Sequence, residues 1–109
     1  MVDAMRRKLL FQLAQQNLIV DGRAAQTFVI KFGTSVLDLH VKNVTAGQLY
    51  VFVLKQNKKG FHSILWSDQI LNATPADPNP HAVTVQAFIG LRNGQLFAIG
   101  PATWNEVTP

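Results

Sequence analysis

The chain contains no cysteine, which excludes disulfides, thiolate zinc sites and cysteine nucleophiles together. It is also poor in charge. Asp, Glu, Lys and Arg make up 15% of its residues, against roughly 25% in an average soluble domain. Much of the surface must then be neutral or apolar, and such surfaces commonly lie against a partner or another copy. Long hydrophobic runs are missing as well. Arg6-Arg7-Lys8 followed by Leu9-Leu10-Phe11 has the outline of a signal peptide, but Gln12 breaks the run short of the ~7–15 apolar residues that a secretory core needs. No stretch approaches the ~18 apolar residues of a spanning helix. A cytoplasmic protein that does not enter membranes is expected.

Motifs that carry chemistry are absent too. There is no HExxH, no GxGxxG, no Walker-type glycine loop and no GxSxG, so no metal, cofactor or catalytic residue is assigned. Asp38 and His40 stand two apart on an alternating segment and share a face, with His62 a candidate to join them. A carboxylate beside an imidazole suits general-base catalysis, but no nucleophile accompanies the pair. The polar face of an amphipathic strand accounts for both residues. Asn43-Val44-Thr45 and Asn72-Ala73-Thr74 match the glycosylation sequon by chance in a chain expected to stay in the cytoplasm.

What the 109 residues do carry is apolar patterning, 48% of them hydrophobic. Their number fits a single domain spanning 1–109. Val2, Met5, Leu9 and Leu13 recur at helical spacing, and Asp3 suits a helix N-terminus. These residues predict a helix over 2–19, ended by Asp21-Gly22. Leu10, Phe11, Ala14 and Leu18 spread its apolar surface over nearly two faces.

Alternation then predicts strands over about 27–32, 36–42, 48–55, 61–66, 82–91 and 95–99. Gly33-Thr34 reads as a tight turn, and Asn93-Gly94 as a two-residue hairpin. Pro75, Pro78 and Pro80 place 72–80 in a loop, and the residues from Pro101 onward read as a tail. In the segment Val83 to Leu91, Val83, Val85, Ala87, Ile89 and Leu91 are the residues expected to face inward. No internal repeat is visible. The expected fold is α+β: an N-terminal helix packed on a curved antiparallel meander of five or six strands. That layout is similar in outline to cystatin-like folds, an analogy of topology without functional content.

The run Leu49–Leu54 is apolar on both faces, with Leu49, Val51 and Val53 on one and Tyr50, Phe52 and Leu54 on the other. Such a strand is central and covered twice, yet one helix covers one face of a sheet. The uncovered face predicts self-association as a homodimer. The leading expectation is therefore a non-enzymatic binding or assembly module that self-associates through an apolar helix or sheet face. A second is a small-molecule binder with an apolar pocket between helix and sheet. Phe28, Phe32, Tyr50, Phe52, Trp66 and Phe88 are the pocket or interface candidates. A third, weaker one is a nucleic-acid binder using the basic 55–61 hairpin, with Lys55, Lys58, Lys59 and Phe61. The formal charge of +4 suits it. The segment Lys59–Trp66 matches the RNP1 pattern only in part, with Ser63 where a stacking aromatic belongs.

Overall fold

The structure is a computed structural model that describes residues 9–105, the last six of these by backbone alone. Along it run strands β1 (Leu9–Leu13), β2 (Asn17–Asp21), β3 (Thr27–Lys31), β4 (Val36–Lys42), β5 (Leu49–Lys55), β6 (Ile64–Trp66), β7 (Ile70–Leu71), β8 (Ala82–Gly90) and β9 (Leu96–Asn105). They form a six-stranded sheet in the order β1-β3-β5-β8-β9-β7 and a three-stranded sheet in the order β2-β4-β6. The expected α+β arrangement is overturned. Among the described residues there is no α-helix, and the pairing is mixed rather than an antiparallel meander.

The parallel pairs carry the architecture. β1, β3 and β5 pair in parallel in the large sheet, and β2, β4 and β6 do so in the small one. Parallel neighbours need a crossover between them, and here each crossover is a strand of the other sheet. The chain thus winds in three coils. Every coil lays one strand on each sheet, and both sheets contribute to one apolar core. β8 then turns back antiparallel to β5, and β9 antiparallel to β8.

The segment expected to be a helix is where sequence and structure part most sharply. Residues 2–8 of it lie outside the described residues, while 9–13 and 17–21 are strands. A surface apolar nearly all round satisfies a period of two as well as one of 3.6, so pairing decides. Leu18 and Val20 are buried and Ile19 is exposed, which is strand alternation. The Gly33-Thr34 connection is likewise no hairpin, because β3 and β4 lie in different sheets. Phe32 N donates instead to Lys55 O, and Val36 N to Ser63 O, each in the following coil.

Several local expectations shift for identifiable reasons. Leu37 is exposed although Leu39 and Val41 are buried. The register slips between Val36 and Leu39, and the adjacent N–H groups of Leu37 and Asp38 both donate to Gln16 O. In β8 the inward face is Thr84, Gln86 and Phe88, set opposite Leu54, Phe52 and Tyr50, and not the valine face. The tail expected from Pro101 belongs to β9, where Pro101 is opposite Gln86. Proline is tolerated there because β7 covers β9 only at Leu96 and Phe97 and leaves that edge without a ladder partner to supply. Asn93 and Gly94 do turn the β8–β9 hairpin, with φ of 71° and 75°, in a three-residue turn closed by Leu91 N donating to Gln95 O.

Gly90 shows how closely the end of β8 approaches the loop between β4 and β5. Its N–H donates to Gln48 O and its carbonyl accepts from Gly47 N. A methyl group at this position would run into the carbonyl oxygen of Thr45. Gly90→Ala is therefore expected to lower unfolding stability in urea by about 2 kcal/mol, as overpacking of backbone does. An unchanged urea midpoint would contradict this packing.

Candidate interaction surface

Phe28, Phe32, Tyr50, Phe52 and Phe88 are buried, and Trp66 is half-buried. Phe28 and Phe52 are partners in the parallel register of β3 and β5, and their rings stack with centroids 5.1 Å apart. Phe52 meets Trp66 edge-on at 5.5 Å and Phe88 edge-on at 5.8 Å, while Trp66 and Phe88 lie 5.3 Å apart. Trp66 comes from the small sheet, so these rings tie the two sheets together. They fill the interior in which a pocket was anticipated, and no helix lies among the described residues to form its other wall. Tyr50 adds a polar anchor, its hydroxyl accepting from Thr45 N at 2.8 Å.

Three glutamines then fix the loops, and nothing in the sequence pattern singled them out. Gln56 is buried; its Nε2 donates to His62 O at 2.7 Å and to Asp77 O at 3.0 Å, and its Oε1 accepts from His62 N. Gln86 Oε1 accepts from Thr74 N at 2.9 Å, and beside it Thr84 Oγ1 accepts from Asp77 N. Gln69 Oε1 accepts from Val41 N, and its Nε2 donates to Gly94 O, each at 2.6 Å. A proline-rich loop cannot satisfy its backbone groups by regular pairing, and buried amides supply the missing partners.

The polar candidates do not converge. Asp38 and His40 are exposed on β4, beside an open groove of about 510 Å³ that also takes in Leu37, Leu65, Trp66 and Asp68. His62 stacks on Phe32 at 6.1 Å, near Val36 at the other end of β4, and so does not join His40. Among the described residues no group of His, Asp and Glu could hold a metal ion. Asp21 accepts from Arg23 N and from Asn43 Nδ2, which holds its carboxyl below the usual range. This pair of contacts fastens the end of β2 and belongs to no cleft.

The basic candidates gather at one end of the large sheet. Lys31 and Lys55 are register partners at the ends of β3 and β5. Lys58 and Lys59 follow in an exposed turn built on Asn57 Oδ1, which accepts from Lys59 N and Gly60 N. Phe61 is 72% exposed with φ of 63°, a conformation uncommon for a bulky residue. Its N–H is tied to Pro78 O.

The outer face of the large sheet is apolar across β1, β3, β5 and β8. The inward set is Phe28, Ile30, Phe52 and Leu54, all buried. Strand alternation then sends Leu9, Phe11 and Leu13, Val29, Leu49, Val51 and Val53, and Val85 and Ile89 to the other side. Phe11 is 59% exposed, Leu13 70% and Leu49 55%, whereas towards the middle of the face Val51, Val53, Val85 and Ile89 are half-buried and Val29 is buried. A lysine also borders this face, Lys31 Nζ lying 5.4 Å from the Phe11 ring centre.

Comparison of the chain with protein-family models, curated proteins and solved structures finds no match. Its chemistry must therefore be read from its own surfaces. No helix among the described residues is long and apolar enough to cross a membrane.

The Gln56 contacts give a direct test. Gln56→Ala leaves the backbone groups of His62 and Asp77 without partners and should cost about 1–3 kcal/mol. It should also open 57–63 to limited proteolysis before the rest of the chain unfolds. Wild-type stability and cleavage would contradict the role given to this amide.

Proposed function

We propose that this chain is a non-enzymatic assembly module that self-associates through the outer apolar face of its six-stranded sheet. One observation carries the reading. β5 sits in the middle of the large sheet with Tyr50, Phe52 and Leu54 in the core, while Leu49, Val51 and Val53 face outward. The face they share continues over β1, β3 and β8. Burying an exposed large aliphatic or aromatic side chain yields roughly 1.5–3 kcal/mol, so Leu9, Phe11, Leu13 and Leu49, all exposed, must be covered together to offset an association cost of about 4–15 kcal/mol. The low charge of the chain acts in the same direction, since little repulsion opposes contact between copies. A homodimer is the simplest assembly. We place it in the cytoplasm, a reducing setting that a cysteine-free chain suits.

Light scattering on a dilution series tests this reading. The wild-type chain is expected to be dimeric or larger at tens of micromolar and to dissociate on dilution. The double variant Val51→Lys with Val53→Lys places two charges on the outward side of β5 and should shift the chain toward monomer, with its circular dichroism unchanged. A wild-type monomer at every concentration would end the proposal.

A further inference from the structure

An exposed apolar side chain is common on a protein surface, but a bulky one at positive φ is not. Phe61 is both, and its position does not come from slack in the chain. Gly60 before it is buried at φ 71°, with the backbone of Pro78 and Pro80 where a methyl group would stand. The Phe61 N–H donates to Pro78 O. His62 after it is held at both its N–H and its carbonyl by the Gln56 amide. The ring is thus presented outward from a backbone anchored at three successive residues. Gly or Asn meets a left-handed position at lower cost, so the turn itself gives no reason for a phenyl ring. Backbone outliers of this kind gather where a fold serves a function.

Positive charge accompanies the ring. Lys31 and Lys55 are register partners on the outer side of β3 and β5, the first exposed and the second half-buried. Lys58 and Lys59 extend the series in the exposed turn, Lys59 two residues before the ring. His81 joins from the end of the 72–80 loop, left-handed at φ 61° and with its N–H donating to Asn57 O. The carboxylates among the described residues are committed elsewhere. Asp77 Oδ1 accepts from Asn79 N and Nδ2. Asp38 and Asp68 line the groove beside the small sheet, and Asp21 is fastened to Arg23 and Asn43.

We propose that this end of the large sheet binds single-stranded nucleic acid, with a base stacked on Phe61 and phosphates on Lys31, Lys55, Lys58 and Lys59. The function is additional to self-association and does not depend on it. The occupant follows from the combination of ring and charge. Lysines alone would suit any polyanion. A flat apolar ring open to water beside them suits a base, and every base offers such a face. The bases of a duplex are stacked on one another, whereas those of a single strand are free to stack on a protein ring. An acidic peptide matches the charge but leaves the ring without a planar partner. Phosphate and ring contacts carry no sequence information, so the strand is bound whatever its sequence.

Fluorescence anisotropy of a labelled oligouridylate of about 16 nucleotides, near the upper end of common site sizes, tests the proposal on the intact chain. Binding is expected at low salt. The logarithm of affinity should fall against that of salt with a slope of about −3, from ~0.7 per phosphate over the four lysines. Lys58→Ala with Lys59→Ala should reduce the slope to about −1.4. Phe61→Ala should leave the slope as it is and weaken binding by about tenfold, while Phe61→Tyr keeps the wild-type affinity. Circular dichroism verifies the fold of each variant. Absence of binding at low salt would overturn the proposal, as would a Phe61→Ala variant that binds like the wild type. Equal affinity for a duplex of the same length or for oligoglutamate would overturn it too, since charge alone would then explain the binding. Retention on phosphatidylserine vesicles without retention of the strand would assign the surface to a membrane instead. None of these failures bears on the assembly reading, which light scattering tests separately.

Discussion

Strand β5 has no side that water can occupy at low cost, and the rest of the structure is arranged around that constraint. Its inner residues meet a ring cluster drawn from both sheets: Phe28 from the coil before, Trp66 from the opposite sheet and Phe88 from the returning strand. Offset and edge-on ring pairs at such spacings contribute about 0.5–1.5 kcal/mol each beyond their buried area. Phe52 takes part in three of them. The core is therefore organised on Phe52, which the second coil reaches through Phe28, the third through Trp66 and the returning strand through Phe88. The outer residues of β5 are covered only in part, Leu49 exposed and Val51 and Val53 half-buried, and the surface they begin is the one through which assembly is proposed.

A core of this kind needs polar support at its rim. The 56–63 and 72–80 segments close over it, and neither is paired as a strand; in the second, Pro75, Pro78 and Pro80 also remove backbone donors. Gln56, Gln86 and Thr84 meet that need from buried positions, and the half-buried Gln69 ties β4 to the β8–β9 turn in the same way. Their neutrality is consistent with the low charge of the chain, because an amide can be satisfied inside a protein at far lower cost than an ion. The same economy of charge leaves β1 without the lysines and carboxylates that usually keep sheet edges apart.

The alternation in Thr27–Lys31, Val36–Lys42 and Leu49–Lys55 was legible in the sequence, and strands lie there. The two-faced character of Leu49–Leu54 was legible too. Strand pairing was not. The coils place Leu9 beside Thr27 and Thr27 beside Val51, offsets of 18 and 24 residues, and Asn17 beside Asp38, an offset of 21. Unequal spacing erases the fixed period by which stacked coils announce themselves. The helix expected over 2–19 failed for a related reason. Leu9, Leu10, Phe11 and Leu13 satisfy either period, and the neighbour that decides between them, β3, is far along the chain. For the candidate residues, the aromatic set was found but assigned to a pocket or interface, where the structure packs the rings on one another. The glutamines gave no local signal, because only the loop that folds over them makes them necessary.

The winding itself can be tested apart from any assembly. In a parallel ladder of β3 and β5, the backbone of Phe28 lies beside that of Phe52, and Ile30 beside Leu54, with strands about 4.8 Å apart. Nuclear Overhauser contacts between the backbone protons of these residues, in register from Thr27–Val51 to Lys31–Lys55, are the predicted result. A ladder instead joining β3 to β4 in antiparallel register across Gly33-Thr34 would contradict the coil architecture, and with it the outer face that follows from it.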